Sequence, residues 1–273
     1  MFDEYNYNKK EVMLRNAKKI LNPFKKNEML SFEGRFRTWD EVKRKCTGYD
    51  SETIIEKEKI AALKVKNGEA CYERDTYLFH KKNYNFPILA SLLKQFLLDG
   101  YLSVLDFGGS LGSMYFQHKD VFDVLEDKLC WTIVEQQKLV EFGKEKLEDQ
   151  NLFFKYRIDD VTDSNCILFG SSLQYIDNPQ EIIEKAVLLN PAIIIVDKTP
   201  MCDESWFSIE RVHEPIYEAS YPIHIMKQDD LVKMFNNRGF ILEYEWIPEA
   251  REEFSIKNKH CVFKSMLFKR IEN

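Results

Sequence analysis

The sequence predicts an α/β protein built on a doubly wound, Rossmann-like mixed sheet of about seven strands, the last antiparallel, with an N-terminal helical extension. Three observations carry that prediction. An apolar run ending in an acid, Leu102 to Asp106, meets Gly108, Gly109 and Gly112, and a helical pattern begins near Leu111. Short apolar runs then alternate with amphipathic helical stretches as far as Asp197. A further helix and a pair of strands close the chain, which suits a sheet with one antiparallel member.

In chain order, residues 1–30 hold seven Lys/Arg, with Val12, Leu14, Ala17, Ile20 and Leu21 on a helix stopped by Asn22-Pro23. This basic helix either packs on the main domain or attaches peripherally to an anionic membrane surface or a partner. Residues 31–100 read mainly as helices. Ser51 to Lys66 sets Ile54, Ile55, Ile60, Ala61, Leu63 and Val65 among charges, and Pro87 to Leu98 is a strongly apolar helix closed by Gly100. Between them, Tyr72-Glu73-Arg74-Asp75 is either a helix-end charge cluster or a group that reaches over the site.

After the glycine bend, Ser113 to Leu125 is helical, Leu129 to Glu135 is a second strand, Lys138 to Gln150 a helix and Leu152 to Tyr156 a third strand. Cys166 to Gly170 is the fourth strand. Asn178-Pro179-Gln180-Glu181 starts a helix, with a cap, a proline at the first position and an acid at the third. Ala192 to Asp197 is the fifth strand, apolar throughout as a central parallel strand is. Residues 198–226 read as irregular. Gln228 to Arg238 is a helix closed by Gly239, and Phe240 to Trp246 and Cys261 to Phe268 are the last strands. The chain thus divides into a helical region, 1–100, packed as a cap or lid, and an α/β domain, 101–273.

The bend at 108–112 belongs to the nucleotide-binding class, because a strand entering a helix through glycines lets backbone N–H groups approach a ligand. Counting back from Gly112, a G-x-G-x-x-G fingerprint needs glycine at 109 and 107; position 107 is Phe, so the dinucleotide fingerprint fails at its tightest turn. Asp106 points at the mouth of the site, where a carboxylate repels a pyrophosphate and suits a ligand bearing an ammonium and a sulfonium. S-adenosylmethionine is such a ligand. Glu135 follows Gly112 by 23 residues, close to the spacing at which an acid meets a ribose diol. Ile158 and Asp159 stand where an adenine would be sandwiched, Ser171 lines the wall, and Tyr72 or Arg74 would grip the carboxylate of the cofactor.

At 273 residues, with 44% hydrophobic and 14% aromatic residues, the chain can bury a sizeable core. A net charge of −6 gives no footprint for nucleic acid. Six scattered cysteines, without C-x-x-C spacing, read as reduced thiols, and nothing suggests a metal. No apolar run is long enough to span a membrane and none forms a signal core, so the expected location is cytoplasmic.

Phe32-Glu33-Gly34, Gly48-Tyr49-Asp50, Tyr72-Glu73-Arg74-Asp75, Leu105 to Gly112, Trp131 to Gln136, Ser172-Leu173-Gln174-Tyr175 and Ser220-Tyr221-Pro222 together make the chain resemble a family. Its members are class I S-adenosylmethionine-dependent methyltransferases associated with bacterial capsule and O-antigen gene clusters. The resemblance covers about residues 30 to 270 and implies methyl transfer to a small-molecule or saccharide acceptor, at a hydroxyl, an amine or a phosphorus-linked group such as a phosphoramidate. A hydroxyl acceptor, the expected case, needs a general base. His213 is favoured, followed by Tyr175 and His224, with Glu210 a further candidate. Two other readings compete. One is an inactive S-adenosylmethionine-binding or partner-docking protein, which only the basic N-terminal helix favours; the other is a nicotinamide oxidoreductase, which Asp106 and Phe107 oppose.

Overall fold

A computed structural model describes residues 30–48, 52–214, 216–248 and 253–271. The basic N-terminal helix expected before residue 30 lies outside the described residues.

Six strands and the helices between them form the frame of the sheet. These are β4 (Leu102–Phe107), β5 (Leu129–Val134), β6 (Leu152–Lys155), β7 (Cys166–Gly170), β8 (Ile193–Cys202) and, at the chain's end, β13 (Lys259–Arg270). The parallel strands run in the order β6-β5-β4-β7-β8; β13 lies antiparallel against β8 and carries β11 (Phe240–Trp246) on its other edge. Numbered within this frame the order is 3-2-1-4-5-7-6, with the seventh strand reversed. This is the expected doubly wound mixed sheet.

Each parallel strand is apolar because helices cover both faces. On one face α3 (Phe86–Asp99), α4 (Ser113–Phe122) and α5 (Gln137–Lys146) bury Leu92, Tyr115 and Val140 with Trp131 and Phe154 of the sheet. On the other, α6 (Pro179–Leu188) and α7 (Gln228–Asn236) bury Ile183, Leu231 and Phe235 with Phe169 and Phe268. Helix α3 ends as expected: Gly100, at φ 77°, closes it with an N–H bond of 2.8 Å to the Phe96 carbonyl. Asn178 takes the cap position of α6, but its side chain makes no capping hydrogen bond.

The sheet is larger than expected. Residues 198–226, read as irregular, contain the end of β8 and two antiparallel strands, β9 (Trp206–Val212) and β10 (Ala219–Lys227). Residues 30–36, placed in a helical region, are strand β1 (Leu30–Phe36), paired with β9. Tyr72-Glu73-Arg74-Asp75 is no helix end either, since β2 (Tyr72–Arg74) and β3 (Tyr77–Phe79) form a hairpin turning through Asp75 and Thr76, both at positive φ. The remaining helices of this region are α1 (Trp39–Lys43) and α2 (Glu52–Lys66), and β12 (Glu253–Ile256) pairs with β13.

Strand β8 outruns β7. Asp197 stands opposite Gly170, the last residue of β7, while Met201 and Cys202 beyond it pair in parallel with β10. The β10-β9-β1 extension therefore stands beyond the carboxyl end of β7, beside the point where the chain switches from one side of β4 to the other. In an open α/β sheet that switch point is the ligand crevice.

Candidate functional site

A cleft of about 1990 Å³ opens there, roughly twice the about 300–1,000 Å³ of an ordinary small-molecule pocket. One half is framed by the ends of β4, β5 and β7. The other is walled by β1, β9, β10 and β12.

The first half is built on the glycine bend. Gly108 sits at φ 70° with its N–H bonded to the Val134 carbonyl at 2.9 Å, and Gly112, at φ 95°, begins α4. Gly109 has a different reason to be glycine: a Cβ there would lie 2.5 Å from the Asp106 carboxyl carbon. The bend thus rests directly on that carboxyl group. Asp106 is only 1% exposed and accepts a 3.2 Å hydrogen bond from Trp131 Nε1–H. Burial pushes its carboxyl up to about 7, with the charge of Glu135 adding to the rise and the Trp131 bond opposing it.

Glu135, at the end of β5, lines the same half, and burial raises it to about 7 against the pull of the Gln136 N–H. Glu58 of α2 lines the same cleft. Burial drives it to about 8, and the charges of Glu73, Glu135 and Asp75 add to this. Glu73, in the first strand of the hairpin, rises to about 7 through burial despite bonds from the Ser113 hydroxyl and the Thr76 N–H. Burial thus raises all four carboxyl groups, the charge of Glu135 adds to the rise at Asp106 and Glu58, and three of the four, Asp106, Glu135 and Glu58, line the cleft. Such a site favours a cation and disfavours polyphosphate.

Ser171, at φ 59°, donates its N–H to the Asp197 carbonyl at 2.9 Å and lines the cleft as expected. Arg74 also lines it, held by a 2.9 Å bond from Nη2 to Gln117 Oε1. Tyr72 does not join it: the ring is buried and stacked on Phe79 at 4.5 Å. Ile158 and Asp159 are not brought there either. Strand β6 ends at Lys155 and the chain turns away, so that Ile158 packs into the core and Asp159 pairs at the surface with Arg157 at 2.6 Å and Lys185 at 3.9 Å. Gln136, Leu139 and Tyr156 line the cleft on that side.

In the other half, Glu210 of β9 and Tyr221 of β10 are cross-strand partners, with Phe32 of β1 opposite Glu210 on the far side. Tyr175, from the turn after β7, donates its hydroxyl to the Glu210 carboxylate and meets the Tyr221 ring edge-on at 6.2 Å. Tyr175 and Glu210 are therefore together in the cleft. The two histidines are not.

His213, past the end of β9, lies outside the cleft lining, with Nε2 3.0 Å from Ser31 Oγ and Nδ1 3.7 Å from Glu218. Strand alternation puts His224 on the opposite face of β10 from Tyr221, against Phe207 at 4.6 Å, and burial lowers it to about 4. Neither histidine lines the cleft, although Ser31, the partner of His213, does. His213→Ala is accordingly expected to leave any turnover within about twofold of the wild type, read from initial rates across pH 6 to 9.

Sequence reasoning missed Glu58, taking its helix as a charged surface element. The signal was present: Ile54, Glu58, Ala61 and Val65 fall on one helical stripe, so the acid interrupts a buried face. It also missed Ser172, whose Cβ lies 2.7 Å from where a Gly108 side chain would begin. The Ser172 side chain is more than nine-tenths buried, and its Oγ finds no hydrogen-bond partner among the described residues.

The strand order and the glycine crevice together define a Rossmann-like, doubly wound sheet whose last strand is antiparallel. No protein-family model matches the chain, and no curated protein matches its sequence. Among solved structures, the chain is similar to the N-terminal domain of EvdMO1 with SAH bound, at 11% identity and a TM-score of 0.47, over 78% of this chain and 97% of that one. It is also similar to the CcbJ methyltransferase from Streptomyces caelestis, at 13% identity and a TM-score of 0.44, over 67% and 88% of the two chains. An S-adenosylmethionine-dependent methyltransferase from Clostridium acetobutylicum is similar at 11% identity and a TM-score of 0.44, over 70% and 94%.

Proposed function

We propose that the protein is an S-adenosylmethionine-dependent methyltransferase whose acceptor is a sugar, or a substituent on one, in the cytoplasmic assembly of surface polysaccharide. The single observation that carries the donor is the Gly109 bend resting on the buried Asp106 carboxyl group, where burial opposes charge. Gly108, Gly109 and Gly112 leave the main chain bare for close approach. Asp106 and Glu135 supply the negative field for an ammonium and the acceptors for ribose hydroxyls, and Ser171 lines the wall. When bound, the donor supplies a methyl group on a sulfonium leaving group. The chain's own work is to align the acceptor with that carbon, which accounts for several kcal/mol of barrier.

The saccharide acceptor is supported by the resemblance of the sequence to capsule-associated methyltransferases and by the second half of the cleft. Its aromatic wall, with Phe32 stacked on Phe254 at 4.1 Å, suits the C–H face of a pyranose, and the polar rim suits hydroxyls. The same carboxyl groups that favour a sulfonium oppose the diphosphate of a nicotinamide dinucleotide.

A thermal-shift series with S-adenosylmethionine, S-adenosylhomocysteine, NAD and NADP tests this. At about 100 times Kd a ligand adds about 2.7 kcal/mol, or about 5–10 °C for a chain of this size. The two sulfur compounds are expected to give that shift and the dinucleotides none. A shift with NAD and none with either sulfur compound would end the methyltransferase reading.

A further inference from the structure

We propose that the acceptor is an amine: Glu210 and Glu58, with Tyr175, Tyr217 and Tyr221, form an ammonium-binding cage, and the methyl group goes to nitrogen. This rests on the methyl-transfer reading above and narrows its acceptor.

The five side chains come from four separate parts of the chain and all line one half of the cleft. Glu210 is 1% exposed on β9, Tyr221 is its cross-strand partner on β10, and Tyr175 bonds to its carboxylate. Tyr217, just before β10, is buried and lines the cleft with Tyr221. The charges of Glu58 and Glu210 both bear on Tyr217. Tyrosine rings around a carboxylate attract a cation twice over, through their electron-rich faces and through the carboxylate charge. A neutral hydroxyl gains from neither to the same degree.

The cage also adjoins the donor half. Ser172 donates no side-chain hydrogen bond among the described residues, is packed against Gly108 and accepts the Tyr175 N–H on its carbonyl at 3.0 Å. It links the glycine bend to the turn that carries Tyr175, and it lines the cleft. Burial and neighbouring acids raise Glu58 in the free protein, as expected where carboxylates await a counter-charge.

The chemistry closes without a histidine. The acceptor enters as R–NH3⁺ and passes one proton to the Glu210 carboxylate, leaving R–NH2 with a lone pair. That lone pair forms the N–C bond as the C–S bond breaks, and the bonding electrons of C–S stay on sulfur, giving a neutral thioether and R–NH2⁺–CH3. Glu210 then releases its proton to water.

The test uses a ring-shaped pair that differs only in the polar group: cyclohexylamine, protonated at about pH 8, and cyclohexanol. Each is titrated calorimetrically into the full-length protein saturated with S-adenosylhomocysteine. Cyclohexylamine is expected to bind at least about tenfold more tightly than cyclohexanol, with the difference lost in Glu210→Gln. Should that variant fail to fold, Glu58→Gln, on a different element, is expected to reduce the same difference. Equal binding of amine and alcohol by the wild type overturns the amine assignment. Absence of S-adenosylhomocysteine binding overturns the methyl-transfer reading beneath it. With methyl-labelled donor and 2-, 3-, 4- and 6-amino pyranosides, label on nitrogen supports the proposal and label on oxygen overturns it.

Discussion

Gly109→Val is expected to abolish binding of the sulfur-containing donor, so that calorimetry registers no heat at concentrations that saturate the wild type, a loss of at least about 100-fold. The reason is geometric. The new Cβ would sit 2.5 Å from both Cγ and Oδ2 of Asp106 and 2.9 Å from Oδ1. Asp106 cannot swing aside, because it is buried and held by the Trp131 indole. The bend must lift instead, carrying its N–H groups out of reach of the ligand. Overpacking of this kind also costs about 1–3 kcal/mol of stability, so circular dichroism must show a folded variant before the binding result is read. Gly109→Ala adds the Cβ alone and is expected to show the same defect in weaker form. Unchanged donor affinity in a folded Gly109→Val protein would remove the bend from the binding site.

The parts of this fold that could be read from the chain are those where local pattern and tertiary environment agree. Leu102 to Asp106, Leu129 to Val134 and Cys166 to Gly170 are buried on both faces, so they appear as unbroken apolar runs. Strand β1 carries no such signal. Leu-Ser-Phe-Glu-Gly-Arg-Phe mixes polar and apolar positions, and its partner β9 lies some 180 residues further on. Strand β9 was obscured because its buried positions Ser208 and Glu210 are polar and break the apolar alternation that marks a half-buried strand.

The site divides in the same way. A glycine bend after an acid-ended strand has a fixed local geometry, and Asp106, Gly108, Gly109 and Glu135 line the cleft, whereas Gly112 caps the start of α4 and is not part of the lining. Residue type alone does not say which face of a strand a side chain takes. His213 and His224 were favoured for their chemistry and lie elsewhere, while Tyr175 and Glu210 meet only because β7 and β9 are brought together in space.

The free protein is expected to lose stability as pH rises from about 5 to about 8, and the donor is expected to restore it. Asp106 and Glu135 are both raised to about 7, from ordinary values of 3.8 and 4.5. Between those limits the native state holds protons that the unfolded chain has released, so stability is greatest below the unfolded values and falls as pH climbs through the native ones. For Asp106 alone, a rise of about 3 pH units corresponds to about 4 kcal/mol at most. A bound ammonium reverses the balance, because it favours the ionised carboxylates. Donor affinity should therefore strengthen as pH passes through about 7, and protons should be released on binding, measurable by calorimetry in buffers of different ionisation heat. Asp106→Asn keeps an oxygen for the Trp131 indole but cannot ionise. It is expected to reduce, not abolish, the pH slope of stability, because Glu135, Glu73 and Glu58 remain raised, leaving the free variant more stable than wild type at about pH 8 while weakening donor binding. Urea unfolding at several pH values, with and without S-adenosylhomocysteine, checks both arms. A wild-type stability that stays level or rises between about pH 5 and 8 would mean that Asp106 and Glu135 are already charged and partnered in the free protein, and the electrostatic case for a cationic donor would fail with it.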